Sequence, residues 1–375
     1  MLQRECPARP SKVVLPGSAR TVNLLAIDAH AAADDVPRSV RRAEPLVQRL
    51  KVEVAGSNPG ASRSPLSATR SDELRLTGSG GSNRVMEAEF KRLLMRSPFE
   101  VRVERPRREG DATLLYPFDA RMGWVAGCYH RTASRVSWDL WSSPAVRLEP
   151  LFADLLPAFS SDDRLPRSGR LRLSVEVGAA SDFEASPLQL RGVVKNAIVE
   201  GLASRGVAAA LDAEAPDIVF VVRRAGVEGR RRTVVGIDIG LGARHRRGAR
   251  VAMGPAAMRE TMAAQLIMLS RWDARTEPLV DPMAGGCTIP IEAARLAVGA
   301  PVRKPADLPL GHIPAFRDLP REAPDLFPGT IPVPLQLNVW PVLSGNIRAG
   351  WGGSNGMPSG DTASWKTPLS FCSQV

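Results

Sequence analysis

The sequence predicts an α/β fold, and three segments carry that prediction. Residues 170–177 alternate apolar and polar side chains as a half-buried strand does, and residues 217–224 are rich in the β-branched side chains that strands favour. Residues 188–204, which lie between them, place apolar side chains along one helical face. The order strand, helix, strand is typical of α/β units, and core packing is the expected role of this helix.

The N-terminal part of the chain shows little periodic pattern, and we predict a disordered or degenerate region over residues 1–110. The stretch 57–84 is rich in Ser, Gly, Arg and Pro and cannot bury much apolar surface. Residues 85–96 are amphipathic and predict one isolated helix. A regular pattern begins near Trp124, with an amphipathic helix predicted at 145–159.

The composition favours an anionic partner and argues against a membrane protein. The 375 residues are enough for two domains or three small ones. Since 50 Lys and Arg stand against 39 Asp and Glu, the net charge is +11, which favours nucleic acid only slightly because Arg is frequent throughout. The longest apolar run, 263–270, is far too short to span a bilayer.

Targeting and metal-binding signals are not found in the sequence. The N-terminus has no continuous hydrophobic segment of the kind that a signal peptide needs, so the cytoplasm is the expected compartment. The four cysteines have no C-x-x-C spacing and the four histidines are dispersed, so no metal site is predicted. Reduced, mostly buried thiols are the expected state of the cysteines.

Residues 279–294, LVDPMAGGCTIPIEAA, predict a strand, a glycine-rich turn and a helix start. Asp281 and Pro282 would leave the strand, and Gly285 and Gly286 would let the backbone turn tightly. Such a turn places backbone N–H groups and a helix N-terminus beside a polar ligand, while the Asp281 carboxylate could hold a ribose hydroxyl or an amino group. A tight connection that binds no ligand is the alternative.

The predicted helix begins near Ile289. Pro290 suits its first turn, where a missing N–H is not needed, and Glu292 is expected to face the positive end of the helix dipole.

The segment DPMAGGCTIPIEAARLAVGAP resembles the first S-adenosylmethionine-binding motif of the THUMP-domain RNA methyltransferases, in particular the bacterial 23S rRNA guanine-N2 methyltransferases. The matching residues are Asp281, Pro282, Met283, Gly285, Thr288, Ile291, Glu292, Ala293 and Ala294. Gly286 replaces the family's usual Ser, and Cys287 replaces its second Gly. A Gly at that point commonly adopts a backbone conformation that a Cβ opposes, so Cys287 is expected to be unfavourable there.

Upstream segments resemble the same family in the same order. They are RTASRV at 131–136, LRGVVKNAIVEGL at 190–202, PDIVFVV at 216–222, GLGARHRRGARV at 240–251 and GPAAMRETMAAQLIMLSRW at 254–272. The resemblance implies a THUMP-like RNA-binding region at 111–250 and the start of a Rossmann-like class I methyltransferase domain at 251–350. An irregular tail is expected at 351–375.

Outside these segments the resemblance weakens. Asn338 lies near the position of the acidic residue that holds the cofactor ribose in the family, and an amide would bind a hydroxyl more weakly than a carboxylate. The family's NPPY-type motif is not found in the chain, and its ferredoxin-like segment is not recognisable in residues 1–110. We therefore expect a C-terminally truncated or frame-disrupted family member.

The resemblance implies S-adenosylmethionine as the cofactor and RNA as the partner. The expected cofactor-binding residues are Asp281, Pro282, Gly285, Gly286, Thr288 and Asn338. Nine arginines within residues 223–250 form a candidate phosphate-binding face, although a solvated loop is the alternative. The arginines that we select as RNA-binding are Arg230, Arg231, Arg232, Arg244, Arg246, Arg247 and Arg250.

Two functions remain open at this point. The first is an S-adenosylmethionine-dependent RNA methyltransferase, with 23S rRNA as the expected substrate and with activity weakened or lost by truncation. The second is a non-catalytic RNA-binding remnant of such an enzyme. An NAD-type protein is disfavoured because the turn lacks the G-x-G-x-x-G spacing. No catalytic residue is identifiable from the sequence.

Overall fold

The computed structural model describes residues 68–178, 182–227, 230–247, 258–281, 286–322 and 337–339. The chain divides into two units, Met1–Ser62 and Arg63–Val375, and all of the described residues lie in the second.

The first part of that unit is a β-α-β-β-α-β arrangement. Its elements are β1 (Thr69–Thr77), α1 (Asn83–Arg96), β2 (Arg107–Arg108), β3 (Thr113–Pro117), α2 (Ala120–Tyr129) and β4 (Arg135–Ser143). The strands lie in the order β2-β3-β1-β4, and β1 pairs with both β3 and β4 in antiparallel fashion. This element order is that of a ferredoxin-like unit.

The second part continues the same sheet. Its elements are α3 (Leu148–Ser161), β5 (Gly169–Val177), α4 (Pro187–Ala203), β6 (Val207–Leu211), β7 (Ile218–Val227) and β8 (Arg230–Asp238). Strand β8 pairs antiparallel with β4, and the order β4-β8-β7-β5-β6 completes an eight-stranded sheet. Both neighbours of β5 run parallel to it. The α/β fold class is therefore confirmed.

Helix α4 shows how local sequence sets these elements. It begins with a capping box, in which Ser186 and Gln189 bond each other's backbone N–H groups, and with a proline at its first position. It packs against α3 at Gly201, where an added Cβ would lie 2.7 Å from the Cβ of Phe159. The helix ends before Gly206, whose φ is +81°.

The core lies against one face of the sheet. Successive side chains of β1 point to opposite faces, so Leu74 and Leu76 join the main hydrophobic cluster, which also contains Phe90 and Phe159. Arg75, between the two leucines, is buried on the other face and pairs with a buried aspartate of β4. The fold therefore buries charged groups as well as apolar ones.

The last part of the chain contains a separate sheet of two strands among the described residues. Its elements are α5 (Glu260–Ser270), β9 (Leu279–Asp281), α6 (Thr288–Ala297), three short 3₁₀ helices within 305–316, and β10 (Leu337–Val339). Strands β9 and β10 are parallel. With α6 between them in the chain, they form a β-α-β unit of the kind found in Rossmann-like sheets.

The structure confirms most of the expected elements and corrects one boundary. The helices predicted at 85–96, 145–159 and 188–204 are present as α1, α3 and α4. The prediction of a disordered or degenerate region is wrong for residues 68–110, because β1, α1 and β2 belong to the sheet and its core. The rest of that prediction, and the expected tail at 351–375, lie outside the described residues.

The ferredoxin-like unit escaped sequence analysis for a physical reason. Strand β1, TRSDELRLT, carries charged side chains that are paired on the polar face of the sheet, and the Ser- and Gly-rich turn after it is typical of a linker.

Every helix in the described ranges is too short or too polar to cross a lipid bilayer.

Candidate cofactor-binding site

The cofactor-type turn joins β9 to α6. Asp281 is the last residue of β9, and its side chain is buried. Thr288 is the first residue of α6 and is also buried, whereas Gly286 is exposed. The structure therefore places these three residues at the two ends of one turn. Pro282 and Gly285 lie outside the described residues.

Asn338, the remaining candidate, lies on the neighbouring strand. In the parallel register of β9 and β10, Asn338 is the partner of Val280, and Val339 is the partner of Asp281. Because parallel strands end at the same edge of a sheet, the backbone of Asn338 is one residue from the strand end that carries Asp281. This is where the two strand ends of a Rossmann-like unit approach a nucleotide-type ligand.

The space at the start of α6 is open with respect to the described residues. A Cβ added at Gly286 would meet no described atom within 4 Å, and Gly286 is not among the glycines with a positive φ. Cys287, the N-cap residue of α6, makes no side-chain hydrogen bond to the first turn. A helix N-terminus without a side-chain cap beside open space suits a polar or anionic ligand.

Cys287 adopts the left-handed conformation, with φ +56° and ψ +28°. Its Cβ is unfavourable in this region, at a cost of roughly 1–2 kcal/mol. The prediction that a glycine suits this position better than a cysteine is confirmed. The strain falls on the residue that links the turn to α6.

The Cys287 thiol is also electrostatically disfavoured from ionising. Partial burial and the nearby Asp281 carboxylate raise its pKa. The thiol therefore stays protonated near neutral pH and is a poor nucleophile there.

A buried ion-pair cluster holds helix α6 in place. Glu292 is 1% exposed, and its carboxylate accepts a hydrogen bond of 2.7 Å from Arg131 Nη1 and another from Arg247 Nη1. Arg131 also donates to the backbone carbonyls of Arg295 and Ala300 at the end of the helix. This Arg131–Glu292–Arg247 cluster joins the residues after α2 to the helix that begins at the cofactor-type turn.

The position of Glu292 corrects the expectation that it faces the helix dipole. It is the fifth residue of α6, and no acidic side chain lies in the first turn. The ion pairs determine its place, because a buried carboxylate requires cationic partners.

Arg244 is a structural residue, which corrects its assignment to RNA. It is 0% exposed, and its guanidinium donates to the carbonyl oxygens of Ala126, Gly127 and His130 at the end of α2. Burial, together with the nearby Arg247 and Arg303 charges, lowers the pKa of Arg244 to about 9, so it is still charged at neutral pH. A cation at a helix C-terminus satisfies carbonyls that have no partner within the helix.

The RNA assignment of Arg247 is corrected for the same reason, because it is 6% exposed and paired with Glu292. The other selected arginines are placed differently. Arg230 and Arg246 are exposed, and Arg231 is exposed beside Asp182 at 3.0 Å. Arg232 is half-buried against Ser142. Arg250 lies outside the described residues.

A second buried network, of hydrogen bonds to Glu89, holds the backbone at Arg131. The Glu89 carboxylate of α1 accepts hydrogen bonds from the backbone N–H groups of Arg131 and Thr132 and from the Thr132 hydroxyl, at 2.6–2.9 Å. Burial alone would raise the pKa of Glu89, but these donors and the adjacent His130 hold it below its usual value. Burial lowers the pKa of His130, although the adjacent Glu89 carboxylate opposes that shift.

The roles of Arg131 and Glu89 were not predicted from the sequence. Arg131 opens the segment RTASRV and Glu292 lies in the segment IEAA, but no local pattern links two charges that are 161 residues apart. Within the described ranges, no three His, Cys, Asp or Glu side chains gather as a metal site would require.

Comparisons with known proteins find both sequence matches and structural matches. Residues 247–306 match the family described as RMKL-like, methyltransferase domain. The chain is 30% identical to the ribosomal RNA large subunit methyltransferase K/L of Magnetococcus marinus, over 59% of this chain and 29% of the relative. The protein of the same name from Alteromonas mediterranea is 31% identical, over 51% of this chain and 26% of the relative.

Among solved structures, a possible methylase from Clostridium difficile 630 superposes with a TM-score of 0.49 at 22% identity, over 65% of this chain and 60% of that chain. The sequence matches are the more informative result, although the chain spans less than a third of the length of the first two relatives. Over these parts of its length the chain is similar to ribosomal RNA methyltransferases.

Proposed function

We propose that this chain is an S-adenosylmethionine-dependent RNA methyltransferase, with guanine N2 of 23S rRNA as its substrate. The observation that carries the proposal is the β9-turn-α6 unit, which combines a buried acid at a strand end, open space at Gly286 and a helix N-terminus without a side-chain cap. The same residues lie in the segment that matches the methyltransferase family. As rRNA is a cytoplasmic substrate in bacteria, we place the activity in the cytoplasm.

The described residues fit such a cofactor. The Asp281 carboxylate would accept a hydrogen bond from a ribose hydroxyl or an amino group, and the open space beside Gly286 leaves room for a ligand next to the N–H groups of α6. Thr288 would help to shape that end of the helix. Asn338, on the neighbouring strand, would bind a ribose hydroxyl through its amide. When bound, S-adenosylmethionine supplies a methyl group activated by its sulfonium charge.

The contribution of the protein to the reaction is mainly placement. A transfer between two bound groups gains most from holding them in line at short distance. The Arg131–Glu292–Arg247 cluster keeps α6, and thus the cofactor-type turn, fixed to the ferredoxin-like unit. The exposed arginines Arg230, Arg231 and Arg246 would contact RNA phosphates and bring the base to that turn.

A non-catalytic RNA-binding protein is the second candidate, and one observation favours it. Cys287 occupies a left-handed position next to the turn, which strains the segment that the cofactor would need. Under this alternative the arginines would still bind RNA, but S-adenosylmethionine would not bind.

Calorimetric titration of the full chain with S-adenosylmethionine tests the proposal. We expect micromolar binding that is weakened at least about tenfold in Gly286→Ala, because the new methyl group would fill the space left for the ligand. The fold should survive this change, since the Cβ meets no atom of the described residues. Arg84→Ala, an exposed change on α1, is the control and should bind the cofactor as the wild type does.

Transfer of a labelled methyl group to 23S rRNA, followed by nucleoside analysis, identifies the product. N2-methylguanosine is the expected product. If neither the wild type nor Cys287→Gly binds S-adenosylmethionine while RNA binding is retained, the enzyme proposal is refuted and the RNA-binding alternative stands.

A further inference from the structure

A basic cavity lies at the end of α6 that is remote from the cofactor-type turn. Its volume is about 300 Å³, and it opens between α1, the last turn of α6 and the turn that follows α5. Arginines Arg92, Arg96 and Arg275 line it together with Trp272. The two arginines of α1 are far in sequence from the other two residues, so only the fold brings this group together.

The cavity carries an excess of positive charge. Its three arginines face one acidic residue of the lining, Asp273, whose carboxylate accepts a hydrogen bond from the backbone N–H of Arg275 at 3.0 Å. Burial and the nearby Arg92 and Arg275 charges lower the pKa of Arg96, as expected where like charges converge. Among the described residues, the guanidinium groups of Arg92 and Arg275 have no hydrogen-bond or ion-pair partner.

Trp272 is fixed at this cavity by its own turn. The indole Nε1 donates a hydrogen bond of 2.9 Å to the carbonyl oxygen of Glu277. The turn is closed by backbone hydrogen bonds from Thr276 and Glu277 to the Asp273 carbonyl. Helix α5 ends just before it, at Ser270, and the next residue, Arg271, has a φ of +58°. The ring is therefore held in place before any ligand arrives.

We propose that this cavity binds one nucleotide of an RNA strand, with its phosphate on the arginines and its base against Trp272. This inference rests on the proposed function, which supplies RNA as the ligand. Arginine forks suit phosphate oxygens, and an indole ring stacks on any base. The volume is at the lower end of the range for small-ligand sites, as a single nucleotide requires.

The place of the cavity assigns it a positioning role. Helix α6 has 10 residues. At ~1.5 Å per residue it keeps the cavity roughly 15 Å from the cofactor-type turn. The nucleotide held here is consequently not the one that is methylated, and the site anchors a flanking part of the strand.

Fluorescence anisotropy of a labelled single-stranded oligoribonucleotide with the full chain tests the inference. We expect Arg92→Ala/Arg275→Ala to lose at least about tenfold in affinity. It should also reduce the magnitude of the slope of log affinity against log salt by about 0.7, because one phosphate contact is lost. Trp272→Ala should lose about tenfold without changing the slope, and Trp272→Phe, which keeps a ring, should lose much less. Arg84→Ala removes an exposed charge from the same helix outside the cavity and should stay within about twofold.

Several results would overturn the inference. Equal affinities of the cavity variants and Arg84→Ala would show that RNA binds elsewhere, while RNA binding by the wild type would leave the proposed function standing. Full displacement of the oligonucleotide by free adenosine monophosphate would identify the ligand as a free nucleotide instead. If the wild type binds no RNA at all, both proposals fail. Thermal unfolding of each variant checks that these substitutions of exposed and half-exposed side chains leave the fold intact.

Discussion

Two groups of arginines from one stretch of chain differ in their burial. Arg244 and Arg247 are buried and bonded to carbonyl oxygens or to Glu292, whereas Arg230 and Arg246, of the same residue type, are exposed. The difference comes from what lies opposite each side chain. Arginines that face a helix end or a buried carboxylate are buried, and only the remaining arginines are available to a ligand. A basic segment is therefore not the same as a basic surface.

The largest effect is expected where a buried charge loses its partner. Glu292→Gln would leave Arg131 and Arg247 as two buried cations without a carboxylate, and we expect a loss of about 3–5 kcal/mol in the free energy of unfolding. Urea unfolding measures it. Glu149→Gln, an exposed change in the first turn of α3, is the matched control. An unchanged midpoint in Glu292→Gln would show that the cluster does not hold α6.

A somewhat smaller loss is expected at the end of α2. Arg244→Ala would leave the carbonyls of Gly127 and His130 without this donor and would take one of two donors from Ala126, so we expect destabilisation by about 3 kcal/mol. Arg246→Ala, two residues away and exposed, should change the unfolding free energy by less than about 0.5 kcal/mol. Similar unfolding curves for the two variants would remove the distinction between buried and exposed arginines.

These residues also show what sequence reasoning can reach. Helices α3 and α4 follow from apolar spacing, because a periodic stripe of side chains needs only local information. The burial of Arg131 could not be inferred in this way, since its partner Glu292 lies 161 residues further along the chain. Strand β1 was missed because its charges are neutralised by partners elsewhere in the sheet. Long-range pairing of charged groups is the information that local patterns lack.

For the turn before α6, one property could be predicted from the sequence and another could be seen only in the structure. The substitution of Cys287 for the family's Gly suggested strain, and the left-handed backbone confirms it. Whether Gly286 is needed for its backbone could not be judged from the sequence. Gly286 is not among the glycines with a positive φ, and no atom of the described residues lies near its Cβ position, so its role under the proposed function is to leave room for the cofactor.

A gain in stability is expected from relieving the strain at Cys287. Cys287→Gly removes a cost of ~1–2 kcal/mol from the left-handed position but adds ~0.4–1 kcal/mol of chain entropy in the unfolded state, so we expect a net gain of roughly 0.5–1 kcal/mol. Cys287→Ala keeps a Cβ and should give no such gain. Thermal unfolding of the two variants side by side measures the difference, and equal midpoints would show that the left-handed conformation costs nothing here.

The smallest effect on stability is expected at the start of β8. Substitutions there also test the exposed arginines most directly. Arg230→Ala/Arg231→Ala removes two exposed guanidinium groups, of which one pairs with the half-exposed Asp182, so unfolding should change by less than about 1 kcal/mol. If both groups contact phosphates, affinity for folded RNA should fall and the salt slope should decrease by about 1.8, at ~0.9 for each contact to a duplex. The control is Arg84→Ala/Arg191→Ala, which removes the same charge from two exposed helical positions. Arg205 is not used as a control position because it donates to the carbonyls of Phe159 and Asp162. If that control lowers the salt slope equally, RNA responds only to net charge, and the exposed arginines of β8 have no special place in binding.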